Sequence, residues 1–130
     1  MRLALSALLL LTGCTATFDH QVLLAEYARN ATDKNMLANY LEGDALESAL
    51  HSVNLLQELD LSQSGVAKFE EVQSHGPELA EACLDVSSVS FRNSSGREVE
   101  LENRIPRQAV TLWFNPESKR IFRLEVGGEC

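Results

Sequence analysis

The sequence predicts an α+β domain, with helices in its first half and antiparallel strands in its second. Apolar residues recur at spacings of three and four as far as about residue 61, the period of an amphipathic helix. Beyond residue 66 they alternate with polar ones at a period of two, the pleat of a strand. Clusters of Gly, Pro, Asn and Ser cut that second half into short segments. The expected architecture is about three N-terminal helices packed on one face of a curved antiparallel sheet of about four strands.

The first helix is expected from Phe18 to about Arg29, with Phe18, Val22, Ala25 and Ala28 as its apolar side. Asn30-Ala31-Thr32-Asp33 breaks it, and Thr32 or Asp33 caps the next segment. Lys34 to Leu41 reads as a second helix with Met36, Leu37, Tyr40 and Leu41 on one side. Gly43 ends it and Asp44 caps the third helix. That helix, Ala45 to about Leu61, carries an apolar stripe of Leu46, Ala49, Leu50, Val53, Leu56 and Leu59. Glu47, His51, Asn54 and Glu58 lie opposite, and Ser62-Gln63-Ser64-Gly65 closes the helical half.

Val66 to Val72 mixes apolar and charged residues, and His75-Gly76-Pro77 turns the chain. Ala82, Leu84 and Val86 then alternate with polar residues. The parity slips at Ser87-Ser88 and resumes with Val89 and Phe91, which predicts one strand with a bulge. Asn93-Ser94-Ser95-Gly96 is a turn. Val99, Leu101, Asn103 and Ile105 alternate with Glu98, Glu100, Glu102 and Arg104, a strand with one wet face that ends at Pro106. Val110 to Phe114 and Ile121 to Val126 supply the last two strands, either side of Asn115-Pro116-Glu117-Ser118.

The start of the chain has a different character. Met1-Arg2 is a short basic head, and Leu3 to Leu11 is apolar apart from Ser6. That length suits the core of a signal peptide and falls short of the ~20 apolar residues of a membrane span. Leu11-Thr12-Gly13-Cys14 resembles a bacterial lipobox, whose cysteine is acylated and becomes the first mature residue. The plainer alternative is an ordinary secretory leader with an incidental cysteine. The expected organisation is a signal peptide over 1–13, a lipidated Cys14 with a very short tether over 14–17, and one domain over 18–130. A single acyl chain holds a membrane weakly and two or more hold it firmly, at ~0.8 kcal/mol for each buried CH₂. Cys14 would therefore keep the domain on the outer face of a cell membrane, outside the cytoplasm.

Formal charge is −8 and is unevenly spread. Residues 14–85 hold 3 basic and 13 acidic side chains; residues 86–130 hold 7 basic and 6 acidic. The acidic half argues against nucleic acid, which needs clustered Lys and Arg. It suits a solvated surface, or an acidic face for a basic protein partner. Two further cysteines, Cys83 and Cys130, are most simply a disulfide in an oxidising compartment, with two free thiols as the alternative. No Cys or His spacing suggests a metal, and no motif suggests a cofactor.

The segments YLEGDALESAL, GVAKFEEV and ACLDVSSVSFRNSSGREV, with the closing cysteine, resemble a family of small actinobacterial lipoproteins. The resemblance runs from about Tyr27 to Cys130. It implies an NTF2-like fold, a cone of curved sheet closed on one side by helices, and it implies a Cys83–Cys130 bond. The chain departs from the family in placing Ile121 where a Trp usually opens the last strand; its own Trp113 lies one strand earlier.

Candidate chemistry is sparse. NTF2-like cones elsewhere hold a His/Asp or Tyr/Asp pair whose burial tunes proton transfer. The candidates here are His20, His51, His75, Asp85, Tyr27 and Tyr40. His51 sits on a polar helix face four residues after Glu47, where a solvated contact is the simpler reading. His75 belongs to a turn, and His20 sits close to the tether. Asp85 is expected to meet Arg104 or Arg107. Tyr27, Tyr40, Asp85 and Trp113 remain as a possible cavity or polar site. These residues point to a non-catalytic, membrane-anchored module for a small ligand or a partner. The alternatives are a small cone enzyme of isomerase or dehydratase type, and an acidic inhibitor or immunity protein.

Overall fold

A computed structural model describes residues 19–130. The leader, Cys14 and Phe18 lie outside the described residues. Among the described residues two α-helices, one 3₁₀ turn and seven strands succeed one another: α1 (His20–Arg29), the turn Leu37–Asn39, α2 (Gly43–Glu58), β1 (Ser62–Ser64), β2 (Lys68–Ser74), β3 (Leu79–Asp85), β4 (Ser90–Arg92), β5 (Glu98–Val99), β6 (Arg107–Phe114) and β7 (Ile121–Glu129). The strands form two antiparallel sheets. One has the order β2-β3-β6-β7 and the other β1-β4-β5.

This corrects the expected architecture while keeping the α+β class. Three helices on one curved sheet become two helices and two sheets. Lys34 to Leu41 does not form an α-helix. Asp33 instead accepts from the Asn35 N–H at 3.0 Å, and Met36, Asn39 and Tyr40 donate to carbonyls three residues back. A short segment gains too few α-helical bonds to offset nucleation. Its end is also claimed by the sheet: Leu41 bridges Ile121 in parallel, with Glu42 N–H donating to the Ile121 carbonyl at 2.9 Å.

The expected strand with a slipped parity is two strands in different sheets. β3 ends at Asp85, the chain turns with Val89 N–H on the Val86 carbonyl, and β4 begins at Ser90. The bulge lies instead in β2, where the register against β3 shifts between Glu70 and Gln73 and Glu71 has φ +54°. The expected strand Val99 to Ile105 shrinks to Glu98–Val99, and the expected breaker at Ser62 becomes β1.

α1 begins at Asp19, whose carboxylate accepts from Gln21 N–H at 2.9 Å. It buries His20, Leu24 and Ala28, spaced four apart, whereas Val22 of the expected stripe is 53% exposed. α2 begins two residues before the expected start. Glu42 precedes it without a side-chain cap, and Asp44 lies in its first turn.

The core fills the space between the helices and one face of the larger sheet. Leu24, Leu37, Leu41 and Val53 meet Ala80, Ala82, Val110, Leu112, Phe114 and Ile121. The opposite sheet face carries Glu81, Cys83 and Asp85 of β3 beside Thr111, Ala109 and Arg107 of β6. Cys83 and Cys130 are joined there by a disulfide, which ties the end of β7 back across β6 to β3.

Candidate functional site

The geometry separates the four side chains grouped by the sequence. Tyr27 of α1 and Tyr40 are brought together, with ring centroids 6.4 Å apart, and Tyr27 also packs at 6.0 Å from Phe69 of β2. The Tyr40 hydroxyl accepts from the Asn30 side-chain amide at 3.2 Å, and its ring belongs to the core. Asp85 and Trp113 lie on the other face of the sheet, six positions apart in the β3–β6 register.

Asp85 serves a turn. Its carboxylate accepts from the Ser87 N–H at 2.9 Å, and Arg107 Nε approaches at 3.8 Å while Arg107 bonds Glu70 at 3.1 Å. The Ser87 contacts, then Arg107, hold the Asp85 carboxyl below its usual value, so it is a poor base near neutrality. Arg104 turns instead to the Val86 carbonyl. Trp113 lies under the Arg123 guanidinium, 4.8 Å from the ring centroid, and Arg123 also pairs with Glu125.

The histidines divide similarly. His20 is 2% exposed, stacks on Phe114 at 4.1 Å, and bonds Ser74 Oγ at 2.6 Å and the Pro77 carbonyl at 3.2 Å. A carbonyl only accepts, so Nε2 carries a proton toward Pro77. This residue anchors α1 to the β2–β3 turn. His75 pairs with Glu81 at 2.8 Å on the surface, and His51 is exposed. Among the described residues no group of three His, Cys, Asp or Glu side chains could hold a metal.

A concavity lies where α2 crosses β7. Helix α2 turns Ala45, Ser48, Ala49 and Ser52 toward Leu124 of β7, and these small side chains leave a groove of about 250 Å³. Leu41 and Tyr27 close its inner wall, and Asp44 and Arg123 stand at its mouth. Its surface is mostly apolar. The volume falls just under the ~300–1,000 Å³ of pockets that take drug-sized ligands, so any occupant is small. Tyr27 is the one predicted site residue that reaches it. Burial pushes its phenol above the usual value, so it stays protonated at neutral pH. Unlike Tyr40, its hydroxyl has no hydrogen-bond partner among the described residues, and it is not sealed from solvent.

Sequence reasoning missed this groove because it tracked the large apolar residues of α2. The signal was the small ones. Ala45, Ser48, Ala49 and Ser52 recur at three and four along one flank, beside Leu46 and Leu50.

No protein-family model and no curated protein matches the chain. Among solved structures it is similar to the intermembrane space region of the chloroplast protein ARC6. The two share 10% identity at a TM-score of 0.59, over 88% of this chain and 100% of that one. That likeness is one of fold alone. A de novo designed β-sheet protein also aligns, at 17% identity and a TM-score of 0.39, over 83% of this chain and 81% of that one.

Proposed function

We propose that this protein is a non-catalytic binding module, held by a lipid at Cys14 to the outer face of a membrane, and that its small ligand enters the groove between α2 and β7. The observation that carries the reading is the groove: an apolar recess between α2 and β7, lined by Leu41, Ala45, Ala49 and Leu124 with Tyr27 beside them. The Cys83–Cys130 bond supports an oxidising location, and the Thr-Gly-Cys14 ending of the leader supports the anchor.

Two measurements test it. Intact mass of the protein extracted from its native membrane should show cleavage before Cys14 and an acylated first residue; an uncut leader with a free thiol overturns the placement. Filling the groove with Ala49→Leu, or at its rim with Ser48→Val, should abolish binding of a small apolar alcohol such as phenethyl alcohol, monitored by NMR shifts of Ser52 and Leu124. Unchanged binding in both folded variants overturns the site.

A further inference from the structure

The polar groups around the groove are not equally free. Arg123, the one basic residue beside it, is already committed to the Trp113 ring and to Glu125 on the far side of the sheet. Glu42 is committed as well, accepting from Asn115 and Ser118. Asp44 stands at the mouth with no hydrogen bond or ion pair among the described residues. Glu47 lies three residues further along the same helix and adds negative charge to the approach. Inside, the walls are Leu41, Ala45, Ala49 and Leu124, with Tyr27 beside them.

From this we infer that the ligand is a small apolar molecule carrying a cationic amine. Its apolar body fills the recess against Ala49 and Leu124, and its ammonium donates to the Asp44 carboxylate at the mouth. An acid of the same shape meets an uncompensated carboxylate and no free cation. The acidic balance of residues 14–85, 13 against 3, raises the local concentration of cations and lowers that of anions.

The inference rests on the groove being a binding site, and the test separates the two. Phenethylamine, phenethyl alcohol and phenylacetate share a body and differ in charge. Each would be titrated into the disulfide-bonded protein by NMR at pH 7 and low salt. Phenethylamine should bind about two- to five-fold more tightly than the alcohol, a range typical of one exposed ion pair, and phenylacetate should bind more weakly than either. Asp44→Asn should erase the amine's advantage over the alcohol, while the alcohol still shifts Ser52 and Leu124. Glu47→Gln, one turn on, should reduce the advantage by less than about two-fold. If all three bind alike, or the acid binds best, the charge selectivity is overturned and the groove stands. If none binds, both readings fall. Asp44→Asn keeps a polar side chain in the first turn of α2 and forgoes only a small helix-end charge effect, so the variant stays folded.

Discussion

Glu42 joins three stretches of chain through one carboxylate. It ends the segment before α2, and its oxygens accept from Asn115 at 3.1 Å and from the Ser118 hydroxyl in the β6–β7 turn. The Ser118 bond, then the Asn115 bond, holds its carboxyl below the ordinary glutamate value. A carboxyl depressed by folding stabilises the fold above its unfolded value, and that contribution is lost as pH falls through the folded one. Ser118→Ala should therefore raise the Glu42 titration toward the ordinary value, read from the side-chain carboxyl carbon by NMR, and should flatten the acid limb of stability. An unmoved midpoint would show the bond to be idle in solution. Leu112 is the apolar counterpart: fully buried in β6 between Ala80 and Leu124. Leu112→Ala should cost about 2–5 kcal/mol in urea denaturation, from lost burial plus the cavity it leaves.

Between elements, the close approach of β1 to the turn before β4 depends on one glycine. Gly65 has φ +80°, and a Cβ there would stand 2.0 Å from the Ser88 carbonyl oxygen. Gly96 has φ +82° with open space around it. Gly96→Ala should cost about 1 kcal/mol for the left-handed backbone alone. Gly65→Ala should cost clearly more, because backbone must move as well; equal melting temperatures would refute the contact. This corner also marks the limit of what the sequence discloses. Period-two alternation identified β3 and β6, because one face of each is buried, whereas β7 buries only Ile121 and part of Leu124. It could not show that the slip at Ser87-Ser88 is a change of sheet, since a bulge and a corner leave the same parity trace. Lys34 to Leu41 had helical spacing, but spacing does not reveal that Leu41 is needed at the edge of a distant strand, beside Ile121. The groove was hidden for a related reason: pattern reading weights large residues, and a recess is written in small ones.

On the scale of the whole molecule, the larger sheet is fastened at both ends of β7. Cys83–Cys130 spans 47 positions of sequence. Closing such a loop restricts the unfolded chain by about 4 kcal/mol in the entropy model. Cys130→Ser, or reduction, should lower the unfolding free energy by about that amount, and a denaturant midpoint indifferent to reductant would show the bond to be dispensable.

The parallel bridge between Leu41 and Ile121 also sets an order of events. A chain emerging from the ribosome, or threading a translocation pore, delivers Leu41 long before its partner exists. Until Ile121 arrives, Leu41 has no strand edge to bridge, although α1 can already settle on β2. The joint at Leu41 therefore closes only when nearly the whole chain has been made.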